Sequence, residues 1–533
     1  MRATRTVALF VFVVLAWLAG AISAAESPAR TLLMVDDHDV LYRAGTRRFL
    51  NVPQRHSPHA LIAMTKRWET AIGYTSVYRH PKTGKYQLWY QAYVGARAKD
   101  ERYRCVVCYA ESDDGITFTK PELELFPYLD QPKTNIVLIG TGLYGHRYCN
   151  SVLVDERESD VTRRYKMAYY DWSERDGRVY PGLHVAFSPD GIHWTKQPDG
   201  PHYLTAYGSR GTQPIVEGEP TYTETPAPGK PIPTRKTWQY PLTMSDAVDV
   251  MYDPRRDVFA IYGKMWIDSP LGGASWRHAL GRTESKDFLT WSKPELLLTT
   301  DDDDPSDVEF HTSPVFFYGD RYFCLNQMFI RRLKGAMDVE LMTSRDGLQW
   351  GRPFRDQFFI ARSTPGLFDS RTILTNATPV ILDDEIRFYY GAYNQAPLDG
   401  VKSPPDQRSG VGMVSIPRDR FAGIRPVPIS DQKTLKQTLE NVGQATLRPI
   451  DLGGVRKLTV NADAADGAVR VEVLTADGYR VRGFTQDDAE PLTSDSLRHP
   501  VSWHGKQLAD LPPGRYMLRL HLQNAAVFAV TLH

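Results

Sequence analysis

Cysteine is scarce: Cys105, Cys108, Cys149 and Cys324 are the four in 533 residues. That is too few for a disulfide framework in an exported chain, so the fold must hold by its core. An excess of charge is lacking too. Lys and Arg number 64 against 63 Asp and Glu, which argues against nucleic acid or a membrane surface as a partner held by bulk charge and favours a neutral substrate. A bilayer-spanning run is missing as well, because the apolar stretch 7–19 falls short of the ~20 residues such a span needs. With Arg2 and Arg5 before it and Ser23 and Ala25 after it, residues 1–25 read as a cleaved signal peptide, an uncleaved anchor being the alternative. The expected location is secreted or periplasmic, with no membrane contact after cleavage. Cys105 and Cys108 make a C-x-x-C, but residues three apart on a strand face opposite sides, which disfavours a shared metal or disulfide. Core packing is expected of them, and no metal or cofactor of the chain.

What the sequence does have is a repeat. The core Ser-x-Asp-Gly-apolar-x-aromatic occurs as SDDGITF (112–118), SPDGIHW (188–194) and SRDGLQW (344–350), with SKDFLTW (285–291) lacking the glycine and a worn copy, SIPRDRF, at 415–421. Asp-Gly between β-rich runs predicts a tight hairpin turn. Each copy follows an aromatic-rich strand, at 86–93, 165–172, 258–266, 322–329 and 386–394, and each of these follows one more apolar run, at 71–78, 149–154, 247–252, 313–318 and 373–382. Four strands in each of five units predict an all-β, five-bladed β-propeller. It is expected over 26–429, with a lead-in before Trp68 that wraps the outside or closes the ring. Beyond it aromatics thin out and short Val/Leu strands with Gly turns predict a C-terminal β-sandwich over 430–533, structural in role, or carbohydrate-binding through Trp503 and Tyr479. The Pro-rich segment 207–240 is either a surface loop or a wall of the funnel mouth, and the acidic run 301–304 lacks the alternating spacing of a calcium loop.

The first strand of each blade lines the central channel, so residues at its start converge on one funnel. They are Trp68 and Glu69; His146, Arg147 and Asn150; Asp246 and Asp249; Glu309 and His311; and Asp369 and Arg371. Glycoside hydrolysis needs a protonated carboxylic acid and an ionised carboxylate across the bond. Clustered carboxyls push their pKa values apart and keep one protonated. Arg371 and His146 are suited to sugar hydroxyls and Trp68 to a sugar face. Each such acid has a plainer role open to it, bridging neighbouring blades.

The five-unit pattern, the S-x-D-G-x-x-W copies, EFHTSPVFF (309–317) followed by GDRYF, and the C-terminal strands resemble the invertase, levansucrase and arabinanase superfamily of five-bladed propeller glycosidases. Trp68-Glu69, CYAESDDGITFTKPEL (108–123), TNIVL (134–138) and SDAVDVMYDP (245–254) further resemble secreted bacterial proteins similar to glycosyl hydrolase family 32 N-terminal regions. The resemblance implies an exported glycosidase acting on an oligo- or polysaccharide. It implies Asp246 as base or nucleophile, Glu309 as proton donor and Glu69 as third carboxylate, with Trp68, His146, Arg147, Asn150, His311, Asp369 and Arg371 binding substrate. The chain departs from invertases in carrying Trp68-Glu69-Thr70-Ala71 in place of the W-x-N-D-P-x-G block and in having no Arg-Asp-Pro block. Two alternatives stay open: a carbohydrate-binding propeller without catalysis, and a sialidase-like enzyme, whose Asp boxes carry one more residue between Asp and Gly and belong to six blades.

Overall fold

The computed structural model describes residues 29–95, 98–143, 148–175, 178–203, 244–268, 276–333, 335–395, 406–428 and 441–533. The signal-peptide stretch, the Pro-rich segment, His146 and Arg147 lie outside the described residues. The chain is all-β. Its aromatic-rich runs are strands because β-branched and aromatic side chains suit a pleated, buried surface, and each lies mid-sheet, covered on both faces.

Three four-stranded antiparallel sheets follow one another. Their first strands are Ala71–Arg79, Tyr148–Val154 and Met244–Asp253, and their second strands Tyr86–Tyr93, Tyr165–Arg175 and Val258–Asp268. An 11-stranded sheet holds two more units of this kind, joined by the parallel pair Met337↔Thr372. One centres on Arg321–Ile330 and Ala336–Ser344, the other on Glu385–Tyr393 and Ser409–Pro417. In the last unit the outer pairing comes from the chain's beginning: Gln54–Arg55 and Ile62–Ala63 pair with Ser409–Pro417. The first strands pack in sequence, and Ala71–Arg79 packs in turn against Glu385–Tyr393 and Ser409–Pro417.

Strands Arg30–Leu33 and Thr46–Leu50 join a six-stranded sheet with Ala422–Pro426, Leu458–Asp463, Asp495–Pro500 and Ala526–Leu532, and Val40–Ala44 joins a five-stranded sheet with Val442–Leu447, Ile450–Asp451, Ala468–Thr475 and Arg515–Gln523. These two sheets share one apolar core, so the division expected at 429 does not separate the strands: the lead-in and Ala422–Pro426 belong with the C-terminal sheets. Trp503, a stacking candidate from sequence, is buried in that core and donates its indole N–H to the Val471 carbonyl at 2.8 Å. Tyr479 is exposed.

The Ser-x-Asp-Gly copies are not two-residue hairpins. In each, the Ser hydroxyl accepts the N–H three residues on, at 2.9 Å for Gly115, Gly191, Phe288 and Gly347, and the Asp carboxylate accepts the two N–H groups that follow. These bonds hold Asp114, Asp190, Asp287 and Asp346 below the usual carboxylate range against the opposing effect of burial. The result is a capped loop, followed by as little as the pair Thr195–Lys196 or Trp350–Gly351.

The loop docks one unit on the unit before it. The Gly115, Gly191 and Gly347 carbonyls accept from Tyr389 Oη (2.7 Å), Trp89 Nε1 (2.6 Å) and Tyr262 Oη (2.9 Å). Glycine serves here because φ is positive, +81° at Gly191, and a Cβ there would lie 2.5 Å from the Trp89 ring. In the copy without glycine, Phe288 takes φ +68° and its own ring fills the joint, 5.9 Å from Phe187 of the unit before and 5.2 Å from Phe259. Gly191→Ala should therefore cost about 3 kcal/mol, from left-handed strain and overpacking, read as a lowered denaturant midpoint; an unchanged midpoint would refute the docking role.

Candidate functional site

Glu69 and Trp68 sit just before the first strand of the first unit, and both are buried. Glu69 is fully engaged: Oε2 accepts the Thr65 and Lys66 N–H groups at 2.7 and 2.9 Å, Oε1 accepts the Tyr90 hydroxyl at 2.7 Å, and Lys120 Nζ lies 2.7 Å from both oxygens. Trp68 packs edge-on to Tyr128 and donates to Asn135 Oδ1 at 3.1 Å. Neither offers a face to a sugar, and the structure gives Glu69 no partner in common with Asp246 or Glu309. The expectations for both residues are corrected on that ground. Asp369 repeats the arrangement in the last unit: buried, with Oδ2 accepting Arg55 Nε and the Tyr390 hydroxyl, each at 2.9 Å. It too is scaffold. The acidic run 301–304 splits similarly, Asp304 binding Arg352 and Asp301 binding Arg355, each through paired 2.6 Å bonds.

The remaining acids converge between the third and fourth units. Asp246 lies on Met244–Asp253 where pairing with the next strand is irregular, between Met244 and Val248. Its Oδ1 accepts the Ser245 hydroxyl at 3.0 Å and lies 2.5 Å from Lys264 Nζ. Lys264 occupies a telling position. Counting from the residue paired with the loop serine (Tyr86↔Ser112, Phe259↔Ser285, Tyr322↔Ser344), the fifth residue on is Gln91, Lys264 and Gln327. The same count in the second unit (Tyr165↔Ser188) gives Tyr170, so the position holds an amide in two units, a phenol in one and an ammonium in the third unit.

Beyond Lys264 stand His278, on Trp276–Ser285, and His311, their rings 5.7 Å apart and edge-on. His311 stacks on Phe329 and contacts Thr312 Oγ1 through Nδ1 at 3.0 Å. Burial, and then the nearby Lys264 charge, push both imidazoles well below their ordinary range, so both are neutral at pH 7. Glu309, with no exposed side-chain surface, accepts the His278 backbone N–H at 2.9 Å through Oε2, faces His278 Nδ1 at 3.1 Å, and binds Arg331 through Oε1. The structure thus links Asp246, Glu309 and His311 by way of Lys264 and His278, with Glu309, the expected proton donor, in contact with Arg331. Arg371 is half-buried beside Tyr393. Asn150 is 1 % exposed, and neither of its amide atoms has a hydrogen-bond partner among the described residues.

Two residues escaped the sequence reading, Lys264 and His278, because they sit on the second and third strands of their unit. Aligning the repeats would have exposed Lys264. Among the described residues no three His, Cys, Asp or Glu side chains are placed to hold a metal ion. A cavity of about 530 Å³ opens at the opposite ends of the first strands, walled by Val77, Tyr78, Val152, Met251, Phe316 and Thr378. It is mostly apolar and holds none of these groups.

No family model matches the chain. Over 248 residues it is 24 % identical to the A type blood N-acetyl-alpha-D-galactosamine deacetylase of Flavonifractor plautii, a match covering 45 % of this chain and 29 % of that protein; the chain thus spans less than a third of that relative's length. Similar solved structures include a glycoside hydrolase (15 % identity, TM-score 0.45, 69 % of this chain and 92 % of that one). They also include the Bombyx mori GH32 beta-fructofuranosidase BmSUC1 (12 %, 0.39, 90 % and 94 %) and an N-acetylgalactosamine deacetylase from F. plautii in complex with blood group B trisaccharide (17 %, 0.42, 70 % and 96 %). Glycoside hydrolases, the group the sequence resembles, thus recur among the similar structures.

Proposed function

We propose that the chain is an exported carbohydrate-active hydrolase, its five units the blades of a five-bladed propeller and its C-terminal sheets a β-sandwich, and that it cleaves a glycosidic bond of an oligo- or polysaccharide. The observation that carries this reading is the Asp246–Lys264 pair at 2.5 Å, set among two neutral imidazoles at the joint of the third and fourth units. A carboxylate held in place by a fixed ammonium is suited to take a proton from an attacking water. The imidazoles, Asn150 and Arg371 supply donors and acceptors of the kind that orient sugar hydroxyls. Glu309 holds the frame of the site through Arg331 and His278. Replacing Asp246→Asn should lower reducing-sugar release about 10²–10⁴-fold in protein that still unfolds cooperatively above the assay temperature. Undiminished release would defeat the assignment.

A second reading rests on the sequence relative, whose name specifies deacetylation of an N-acetyl sugar. Amide hydrolysis would draw on the same carboxylate base and the same neutral donors. Acetate release from N-acetylated glycans, without shortening of the chain, would decide for it.

A further inference from the structure

The proposed site has a carboxylate base but no evident acid, because Asp246 is tied to Lys264 and Glu309 to Arg331. One inner-strand carboxyl differs from these. Neighbouring units are latched by hydroxyls along their first strands: the Val77 N–H donates to Thr378 Oγ1 at 2.9 Å, Val152 to Ser76 Oγ at 2.9 Å and Val250 to Ser151 Oγ at 2.8 Å. Ser76 precedes Val77, Ser151 precedes Val152, and the residue in that place before Val250 is Asp249. The repeat calls for a short hydroxyl here, and the third unit supplies a carboxyl.

Among the described residues nothing positive is bonded to it. Asp249 Oδ1 accepts the Ser151 hydroxyl at 2.7 Å from the second unit and the Ala377 N–H at 3.2 Å from the fifth. Its register partner, Tyr262, turns its hydroxyl away to the Gly347 carbonyl. Thr375 and Asn376, before Ala377, are neutral and spend their bonds on Gln327, Leu325, Thr75 and Tyr389. Among the described residues no Lys, Arg or His side chain is bonded to Asp249, and it is 5 % exposed.

We infer that Asp249 is the proton donor of the proposed reaction, a catalytic residue paired with Asp246. Burial with no cation bonded to it favours the protonated form of this carboxyl and carries it up to about 7 against the opposing pull of the Ser151 and backbone N–H donors. With Oδ1 accepting both bonds, Oδ2 is left to hold the proton. Asp246 and Asp249 are three residues apart on one strand, and the irregular pairing from Met244 to Val248 breaks the strict alternation of faces that would set them on opposite sides. Their Cα atoms are at most about 11 Å apart, a span that admits the roughly 6.5–9.5 Å carboxyl separation of inverting glycosidases. In the step, the Asp249 proton passes to the glycosidic oxygen as its bond to the anomeric carbon breaks. Water attacks that carbon from the other face and gives its proton to Asp246. The products are a hemiacetal of inverted configuration and a free alcohol, and the two carboxyls regain their starting states by exchange with solvent.

This inference rests on the glycosidase reading, and the two fail differently. Asp249→Asn should lose at least 10²-fold in kcat on alkyl glycosides and far less on an aryl glycoside whose leaving group needs no proton. It should also lose the basic limb of the kcat/KM profile near pH 7. Equal loss on both substrates, a retained basic limb, or retention of configuration by NMR would overturn the inference while leaving Asp246 in place. Wild-type protein that releases no sugar would remove both readings. Independently of activity, the infrared difference between wild type and Asp249→Asn at pH 6 should contain a protonated-carboxyl stretch that fades through pH 7; its absence would also overturn the assignment.

Discussion

Replacing Lys264 with methionine should cut activity at neutral pH about 10²–10⁴-fold and cost about 3–5 kcal/mol of stability. Asp246 has a side chain only 10 % exposed, and its charge is balanced by Lys264 at 2.5 Å. Methionine keeps the volume of the lysine stem and removes the ammonium. A buried carboxylate left without its counter-charge and its anchoring contact is destabilised, and the base loses its fixed place in the site. The imidazoles move the opposite way from their present state: Lys264 helps push His278 and His311 down, and without it both gain a proton more readily. Lys264→Arg, which keeps the charge, is the control. Undiminished activity in the methionine variant would show that the ammonium does not hold Asp246 for the reaction.

The repeat was legible because its chemistry is local. A serine hydroxyl and an aspartate carboxylate cap N–H groups within three residues, so the pattern announces a turn wherever it stands, even at Phe288, where the glycine is gone. The form of the turn was not legible, since Asp-Gly also suits a two-residue hairpin and only the serine bond widens it. The acids divide along the same line. Asp246, Glu309, Glu69 and Asp369 all stand near strand starts, but Glu69 and Asp369 are ion-paired with residues distant in sequence, Lys120 and Arg55. A buried acid is told apart by what faces it, and strand position does not contain that. Lys264 was hidden for a related reason. Its neighbours in sequence are ordinary strand residues, and its meaning appears only beside Gln91 and Gln327. The strands of 30–50 could not be assigned from sequence, because pairing with residues some 400–500 positions away leaves no local mark.

The stability of Asp249→Asn relative to wild type should climb with pH, by about 4 kcal/mol between pH 4 and pH 7. In the folded chain Asp249 stands at about 7, raised by burial, whereas an unfolded Asp ionises near 3.9. Below about pH 4 both states hold the proton and the residue is neutral in its effect. As pH rises from there, the unfolded chain releases the proton while the folded chain keeps it, so wild type loses about 1.4 kcal/mol for each pH unit until the folded group also ionises. Above about 7 the loss is complete and flat. Asparagine carries no proton to retain, accepts the Ser151 and Ala377 bonds through its carbonyl oxygen, and escapes the penalty. Any fixed cost of its amide N–H₂ adds equally at every pH, so the slope alone reads the carboxyl. Denaturant midpoints of the two proteins at pH 4, 5.5, 7 and 8.5 measure it. A difference that stays constant, or that narrows with rising pH, would mean the axial carboxyl is ionised in the fold and paired with a cation.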